Sequence, residues 1–175
     1  MKNEKIKQFC IECDKTTADE YEKRKQPDVR KRIKDNYFGK IAEEYVYKYV
    51  NKKLGLITTK PDYEIYQKWE KSYEADLKTN KINIHVKSIT KESARRYSTS
   101  WIFQKTDPLV NSMDKNDIIA AVLVDEKTEE CNLLGFISAS KVTYGEPKIP
   151  KHKAQKTVLY FERNRDNFYK VGGDI

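Results

Sequence analysis

Four ionisable side chains lie close together in the stretch YEADLKTNKINIHVKSIT, which covers residues 73–90. Its second half alternates between apolar and polar residues, as in a β-strand that has one face buried. If Asn80-Lys81 is a two-residue turn, the segment folds as a hairpin in which residue 76 lies opposite 85 and residue 74 opposite 87. Two carboxylates, an imidazole and an ammonium then share one face of the hairpin: Glu74, Asp76, His85 and Lys87.

Such a cluster has the composition of a phosphodiester-cleaving site. Carboxylates bind hard divalent cations such as Mg²⁺. A bound cation polarises a phosphate and lowers the pKa of a coordinated water, and a lysine stabilises the charge that develops on phosphorus. The alternative is a solvated polar face with surface ion pairs of small energetic value. The four residues alone do not decide between the two interpretations.

The elements that position the cluster are a helix and several strands. QPDVRKRIKDNYFGKIAEEYVYKYVNKKLG predicts a helix that Pro27 and Asp28 begin and Gly55 ends, with a break indicated at Gly39. DIIAAVLVDE is a continuous apolar run, typical of a strand buried on both faces. CNLLGFISASKV predicts a strand followed by a short helical piece, and KTVLYFER predicts a further strand. This order indicates an α/β or α+β domain with a mixed sheet.

The same residues resemble the core of the PD-(D/E)xK, or restriction-endonuclease-like, nuclease superfamily. In that family an aspartate stands near the end of one strand, a second acid precedes a lysine by two residues on the next strand, and a preceding helix often supplies a glutamate. Asp76 and Lys87 match the first and last of these positions, and His85 stands at the place of the second acid. The resemblance spans about residues 37–125 and implies a mixed central β-sheet flanked by helices.

Glu43 matches the family's helical glutamate better than Glu44 does. Apolar residues recur after Glu43 at the spacing of one helix face, and they are Val46, Tyr47, Val50 and Leu54. The same offsets from Glu44 meet a poor stripe, namely Tyr47, Lys48, Asn51 and Gly55. A literal Pro61-Asp62 and the Asp76-Leu77-Lys78 triplet suggest another register of the motif, which we reject because the family lysine lies in an apolar strand.

His85 is a departure from the family pattern, and it bears on the metal. An imidazole is a softer ligand than a carboxylate and leaves the site one negative charge poorer. The resemblance implies Mg²⁺, with Mn²⁺ as a substitute, held by Glu43, Asp76 and His85, and Glu74 is a candidate for the missing carboxylate. Lys87 then orients the attacking water or stabilises the transition state.

Charge and composition favour a nucleic-acid partner. The chain of 175 residues carries a formal charge of +8, which favours a polyanion, although a lysine-rich soluble surface is the simpler alternative. Arg30 and Lys31 lie in a basic run that could meet phosphates. After the lysine, KESARRYSTSWIFQKTD offers side chains that read base edges or stack on bases, namely Arg95, Arg96, Trp101 and Gln104.

The remaining features bound the interpretation. Residues 1–25 form a polar N-terminal segment before a single domain over 26–175. No apolar run has the length of a membrane span and the N-terminus lacks the apolar core of a signal peptide, so we expect a cytoplasmic protein. Cys10 and Cys13 form a lone CxxC, which could supply half of a zinc site, although two ordinary thiols are the favoured interpretation.

The sequence therefore predicts a Mg²⁺-dependent DNA endonuclease, type II restriction enzyme-like or phage-encoded, and a homodimer if both strands are cut. The first alternative is a catalytically silent nucleic-acid-binding module of the same fold, which His85 favours. The second is a zinc-dependent interaction protein built around the CxxC.

Overall fold

Two long helices precede the strands. The computed structural model of the chain describes residues 2–23, 27–66 and 74–169. Helix α1 spans Lys2–Lys23 and helix α2 spans Val29–Lys53. Asp28 caps α2, because its side chain accepts a hydrogen bond from the Lys31 amide at 3.0 Å. Gly55 ends the helix in the left-handed region, with φ +64°, and the Leu56 amide donates to the Val50 carbonyl at 3.2 Å.

Helix α2 runs through Gly39 without interruption, so the predicted break at that position is wrong. A glycine inside a helix costs only about 1 kcal/mol relative to alanine. The residues on either side of Gly39 offset this cost, because Tyr37, Phe38 and Ala42 are all buried in the core beneath the helix.

Helix α1 joins the core that α2 covers. The segment looks polar, yet Ile6 and Cys10 are 3% and 1% exposed. A buried ion pair fixes α1 to α2, in which Arg32 Nε and one terminal nitrogen donate to the two Asp14 carboxylate oxygens at 2.7 and 2.9 Å. Residues 2–23 are thus packed against the rest of the domain and contribute side chains to its core.

A four-stranded mixed sheet lies against these helices. Its order is β1 (Leu77–Lys78), β2 (Asn83–Thr90), β4 (Asp117–Val124) and β5 (Cys131–Ser138). Strand β2 is antiparallel to β1 and parallel to β4, and β4 is antiparallel to β5. The predicted mixed sheet with helices is confirmed, as is the expectation that DIIAAVLV is a buried central strand, since six of its eight residues are buried.

The hairpin that begins this sheet has the predicted register. Leu77 pairs with Ile84 and Lys78 with Asn83, and the Thr79 amide donates to the Ile82 carbonyl at 2.9 Å across the turn. The register places residue 76 opposite residue 85, as the two-residue turn requires. Strand β1 is only two residues long, so the pairing of 74 with 87 is not part of the ladder.

A second, three-stranded sheet is formed later in the chain. Its order is β3 (Ser100–Gln104), β7 (Lys156–Tyr160) and β6 (Tyr144–Gly145), all antiparallel. The short helix α3 spans Lys91–Tyr97 directly after β2, and α4 spans Phe161–Asn164 after β7. As predicted, β5 is followed by a short helical turn, at Ala139–Lys141.

The four-stranded sheet separates two apolar cores. Ile118, Ala120 and Val122 of β4 face the core under α1 and α2, whereas Ile119 and Ala121 face the second core. The second core also contains side chains of the three-stranded sheet, namely Trp101, Phe103 and Leu159. None of the helices in the described ranges is both long and apolar enough to cross a membrane.

Candidate active site

Asp76 stands immediately before β1 and is fixed against β2. Its Oδ2 accepts a hydrogen bond from the Val86 amide at 2.7 Å. This hydrogen bond holds the Asp76 carboxylate against the β2 backbone at the residue between His85 and Lys87. The hairpin therefore brings three of the four predicted residues to one place.

Glu43 reaches the same place from α2. Its side chain is only 14% exposed, and its Oε2 accepts a hydrogen bond from Lys40 Nζ at 2.5 Å. Burial, and after it the negative charge of Asp76, raises the pKa of Glu43 to about 7. The helix and the hairpin thus converge with two carboxylates that repel each other. Glu44, the alternative, accepts a hydrogen bond from the Tyr63 hydroxyl at 2.9 Å.

His85 is a mostly buried imidazole, 13% exposed, on the face of β2 opposite to Ile84. Burial lowers its pKa, and the positive charge of Lys87 lowers it further, against the opposing charges of Asp76, Asp117 and Asp107. A lowered pKa favours the neutral imidazole at pH 7, the form that can accept a proton or bind a metal.

Lys87 lies two residues further along the same face. Its Nζ is 5.5 Å from the centroid of the Phe103 ring, a cation–π contact with the second sheet. The contact holds the ammonium near the ring face, and the ring takes none of its hydrogen-bond donors. Lys87 and His85 share one face of β2, so a positive charge acts on the imidazole from the same face, where a phosphate would be neutralised.

Asp117 is a residue of the site that the sequence analysis did not select. Its Oδ1 lies 3.9 Å from His85 Nε2 and accepts a hydrogen bond from Asn83 Nδ2 at 2.9 Å. Although burial opposes it, hydrogen bonds from Ser112 and Asn83 lower the pKa of Asp117. The signal in the sequence was its position at the start of the buried strand, which the parallel pairing places beside β2.

Glu74 lies at the exposed surface before β1. Its side chain is 69% exposed and its carboxylate pairs with Lys78. Strand β1 begins only at Leu77, so no strand pairing holds residue 74 opposite Lys87. The structure thus offers no support for Glu74 as the missing carboxylate.

The donor atoms suit a hard divalent cation, but they do not form a closed ligand set. Glu43 and Asp76 supply carboxylate oxygens, and a cation would offset both the burial and the repulsion from Asp76 that raise the pKa of Glu43. Within residues 2–23, 27–66 and 74–169, no group of three or more His, Cys, Asp or Glu side chains is arranged to hold a metal ion. Glu43 is engaged instead by an ammonium, that of Lys40.

The predicted nucleic-acid contacts are divided between surface and core. Arg95 and Arg96 are exposed on α3, directly after β2, and Arg96 pairs with Glu92. Arg30 and Lys31 are exposed in the first turn of α2, and Lys31 pairs with Asp35 at 2.5 Å. Gln104 is half-buried at the end of β3. The arginines of α3 are thus the exposed cations that follow the lysine-bearing strand.

Trp101 lies in the second core and is 4% exposed. Stacking on a base needs an open ring face, which this tryptophan does not offer in this conformation. Alternating burial along β3 explains the difference, because Trp101 and Phe103 point inward while Ile102 between them is 51% exposed.

Cys10 and Cys13 lie on α1 beside Lys40. Burial, and after it the neighbouring Cys13, raises the pKa of the Cys10 thiol to about 11, and burial also raises the pKa of Cys13. The Cys10 side chain belongs to the core under α1 and α2, which agrees with the favoured interpretation of ordinary thiols. The zinc alternative stays a prediction, because a bound metal would itself deprotonate a coordinating thiol.

Comparison with known proteins gives no relative. No protein-family model, no curated protein and no solved structure matches this chain.

Proposed function

We propose that this protein is a Mg²⁺-dependent DNA endonuclease of the PD-(D/E)xK, restriction-endonuclease-like type. The observation that carries the proposal is the convergence of Glu43 and Asp76 at the junction of α2 and the hairpin, where burial and then the negative charge of Asp76 raise the pKa of Glu43 to about 7. Lys87 stands on the adjacent strand with its ammonium free of a described carboxylate partner within 4.0 Å. Acid, acid and lysine are the groups that phosphodiester hydrolysis uses.

Each residue has a distinct role in this proposal. Glu43, Asp76 and the neutral His85 would hold Mg²⁺, or Mn²⁺ in its place. When bound, the cation polarises the scissile phosphate and activates a water. Lys87 orients the attacking oxygen and neutralises charge on the phosphate oxygens. Asp117 holds the imidazole from the side opposite to Lys87.

The substrate in this proposal is duplex DNA, contacted at its phosphates by Arg95 and Arg96. A type II restriction enzyme and a phage-encoded nuclease both suit a compact, basic chain. Cleavage of both strands by one site per chain requires two sites in opposite orientation, which a two-fold homodimer supplies.

The test is cleavage of supercoiled plasmid and of end-labelled duplexes with Mg²⁺ or Mn²⁺, with the product ends sequenced. Lys87→Ala should lower the rate at least about a hundredfold, while DNA binding in a gel-shift assay changes little. Lys81→Ala, which changes an exposed lysine in the turn of the same hairpin, is the matched control. Cleavage at the parental rate by Lys87→Ala would refute this role of the lysine.

A catalytically silent nucleic-acid-binding module is the second candidate. The absence of a three-ligand metal group among the described residues favours it, as does His85 at the position of an acid. In that case the protein binds duplex DNA in the gel-shift assay and yields no cleavage at any Mg²⁺ or Mn²⁺ concentration.

A further inference from the structure

Lys40 is a buried lysine whose ammonium is surrounded on several sides. Its side chain is 13% exposed. Nζ donates to Glu43 Oε2 at 2.5 Å and to the carbonyl oxygen of Asp62 at 2.8 Å. The rings of Phe9 and Tyr63 lie 5.4 and 5.3 Å from it. Two oxygens and two aromatic rings therefore bind this cation.

Three separate parts of the chain build this cation site. Phe9 comes from α1, Glu43 from α2, and Asp62 and Tyr63 from the extended segment that follows α2. That segment is itself held at the edge of β1, where the Thr59 amide donates to the Lys78 carbonyl at 2.8 Å. An ordinary surface lysine is held differently, as Lys91 shows, which is 49% exposed and contacts Asp125 at 2.7 Å.

The ammonium compensates a carboxylate that is otherwise surrounded by like charge. Asp76 and Asp62 both disfavour the ionised form of Glu43, and Lys40 favours it. A buried carboxylate needs a positive partner at short range. In this structure the partner is Lys40. A divalent cation that used Glu43 as a ligand would have to displace the Lys40 ammonium from the same carboxylate.

We propose that Lys40 is an internal counter-ion that competes with the divalent cation for Glu43, and so sets the metal concentration at which the site fills. The proposal rests on the proposed function in taking Glu43 as a metal ligand. Lys40 is a positioning residue in this scheme, because it acts on the metal through the carboxylate.

The test is direct measurement of Mn²⁺ binding to the full chain at pH 8.0, from the electron paramagnetic resonance signal of the free ion. Lys40→Met removes the charge and keeps a long side chain against Phe9 and Tyr63. It should tighten the Mn²⁺ Kd by at least about tenfold, because the ammonium that neutralises Glu43 at short range is removed. Lys40→Gln removes the same charge but keeps a side chain that can donate to Glu43. It replaces Lys40→Met in the measurement if that variant does not fold.

Two controls separate charge from packing. Lys40→Arg keeps the charge and should leave the Kd within about twofold of the parent. Lys91→Met removes a lysine from an exposed ion pair and should have no effect on the Kd. In a Glu43→Gln background, Lys40→Met should no longer tighten binding, since the competed carboxylate is gone.

The outcomes distinguish this inference from the proposed function. If neither neutral variant tightens Mn²⁺ binding, or if no variant binds Mn²⁺, Lys40 is not a competing counter-ion. If the parent cleaves DNA and the Kd of Lys40→Met is unchanged, the nuclease proposal stands alone. If Lys40→Met tightens Mn²⁺ binding and neither chain cleaves DNA, the counter-ion stands and the nuclease proposal fails.

Discussion

Glu43 is a mostly buried carboxylate beside the charge of Asp76, and its protonation should be visible in stability. Its folded-state pKa of about 7 lies above the ordinary value of 4.5. Between these values the unfolded chain loses the proton and the folded chain keeps it, so the carboxylate destabilises the fold as pH rises. Below about 4.5 this cost is absent, and above about 7 it is complete.

Glu43→Gln should therefore gain stability relative to the parent between about pH 4.5 and 7, by on the order of 1–3 kcal/mol, and level off above. Urea denaturation of both chains in EDTA across this range measures it. Glu146→Gln is the control, because the pKa of Glu146 is lowered by its hydrogen bond to Lys153, so it gives no such gain. A constant difference between parent and Glu43→Gln would contradict the assigned environment.

The substitution Asp76→Asn tests the charge of the carboxylate with little change to the fold. In Asp76→Asn the side-chain oxygen can still accept from the Val86 amide, so we expect the hairpin and the melting temperature to be nearly unchanged. The charge that would face the cation is lost, and cleavage should fall at least about a hundredfold. Plasmid cleavage and a thermal melt on the same sample measure both. Cleavage at the parental rate would remove Asp76 from the site.

At the scale of the elements, the docking of α1 on α2 depends on one buried ion pair. Arg32 and Asp14 are 6% and 7% exposed, so removal of one partner leaves an uncompensated charge in the core. Arg32→Met should lower the free energy of unfolding by about 3–5 kcal/mol. Lys31→Met, which breaks an exposed pair on the same helix, should cost less than about 1 kcal/mol. Chemical denaturation compares the two, and equal losses would show that α1 docks by other contacts.

The elements also show where sequence reasoning succeeds. The hairpin register followed from a turn and an alternation that are local, and the buried strand β4 followed from an apolar run. The buried face of α2 followed from the apolar stripe after Glu43, of which Val46 and Val50 are fully buried. These signals lie within a few residues of one another, so they survive without knowledge of the fold.

Other features depend on contacts between distant parts of the chain and could not be predicted. Helix α1 packs into the core although its sequence is polar. Its Asp14 forms an ion pair with Arg32, which is 18 residues away in the sequence. The second sheet joins β3 to β7, whose residues are more than fifty positions apart, and this pairing buries Trp101. The distance between Lys40 and Glu43, three residues on a helix, was a local signal that the sequence analysis did not use.

At the scale of the whole molecule, the excess of positive charge predicts a salt-dependent affinity for DNA. The chain carries 35 Lys and Arg against 27 Asp and Glu. Binding of a non-cognate duplex should weaken at least about tenfold between 50 and 200 mM KCl. Arg96→Ala should reduce the slope of log K against log salt by about 1. Arg165→Ala, in a similarly exposed arginine–glutamate pair, is the control, and fluorescence anisotropy measures both. Equal slopes for parent and Arg96→Ala would place the DNA elsewhere.

Strand β4 supplies alternate side chains to both cores, and this shared strand has a consequence for motion. Neither core can open while the other stays closed, because each would have to release the same backbone. The amides of β4 should exchange with deuterium only through global unfolding, together with those of its neighbour β2. We therefore expect the strand that carries His85 and Lys87 to exchange with the slowest amides of the described residues, while the exposed side chains around it adjust more freely.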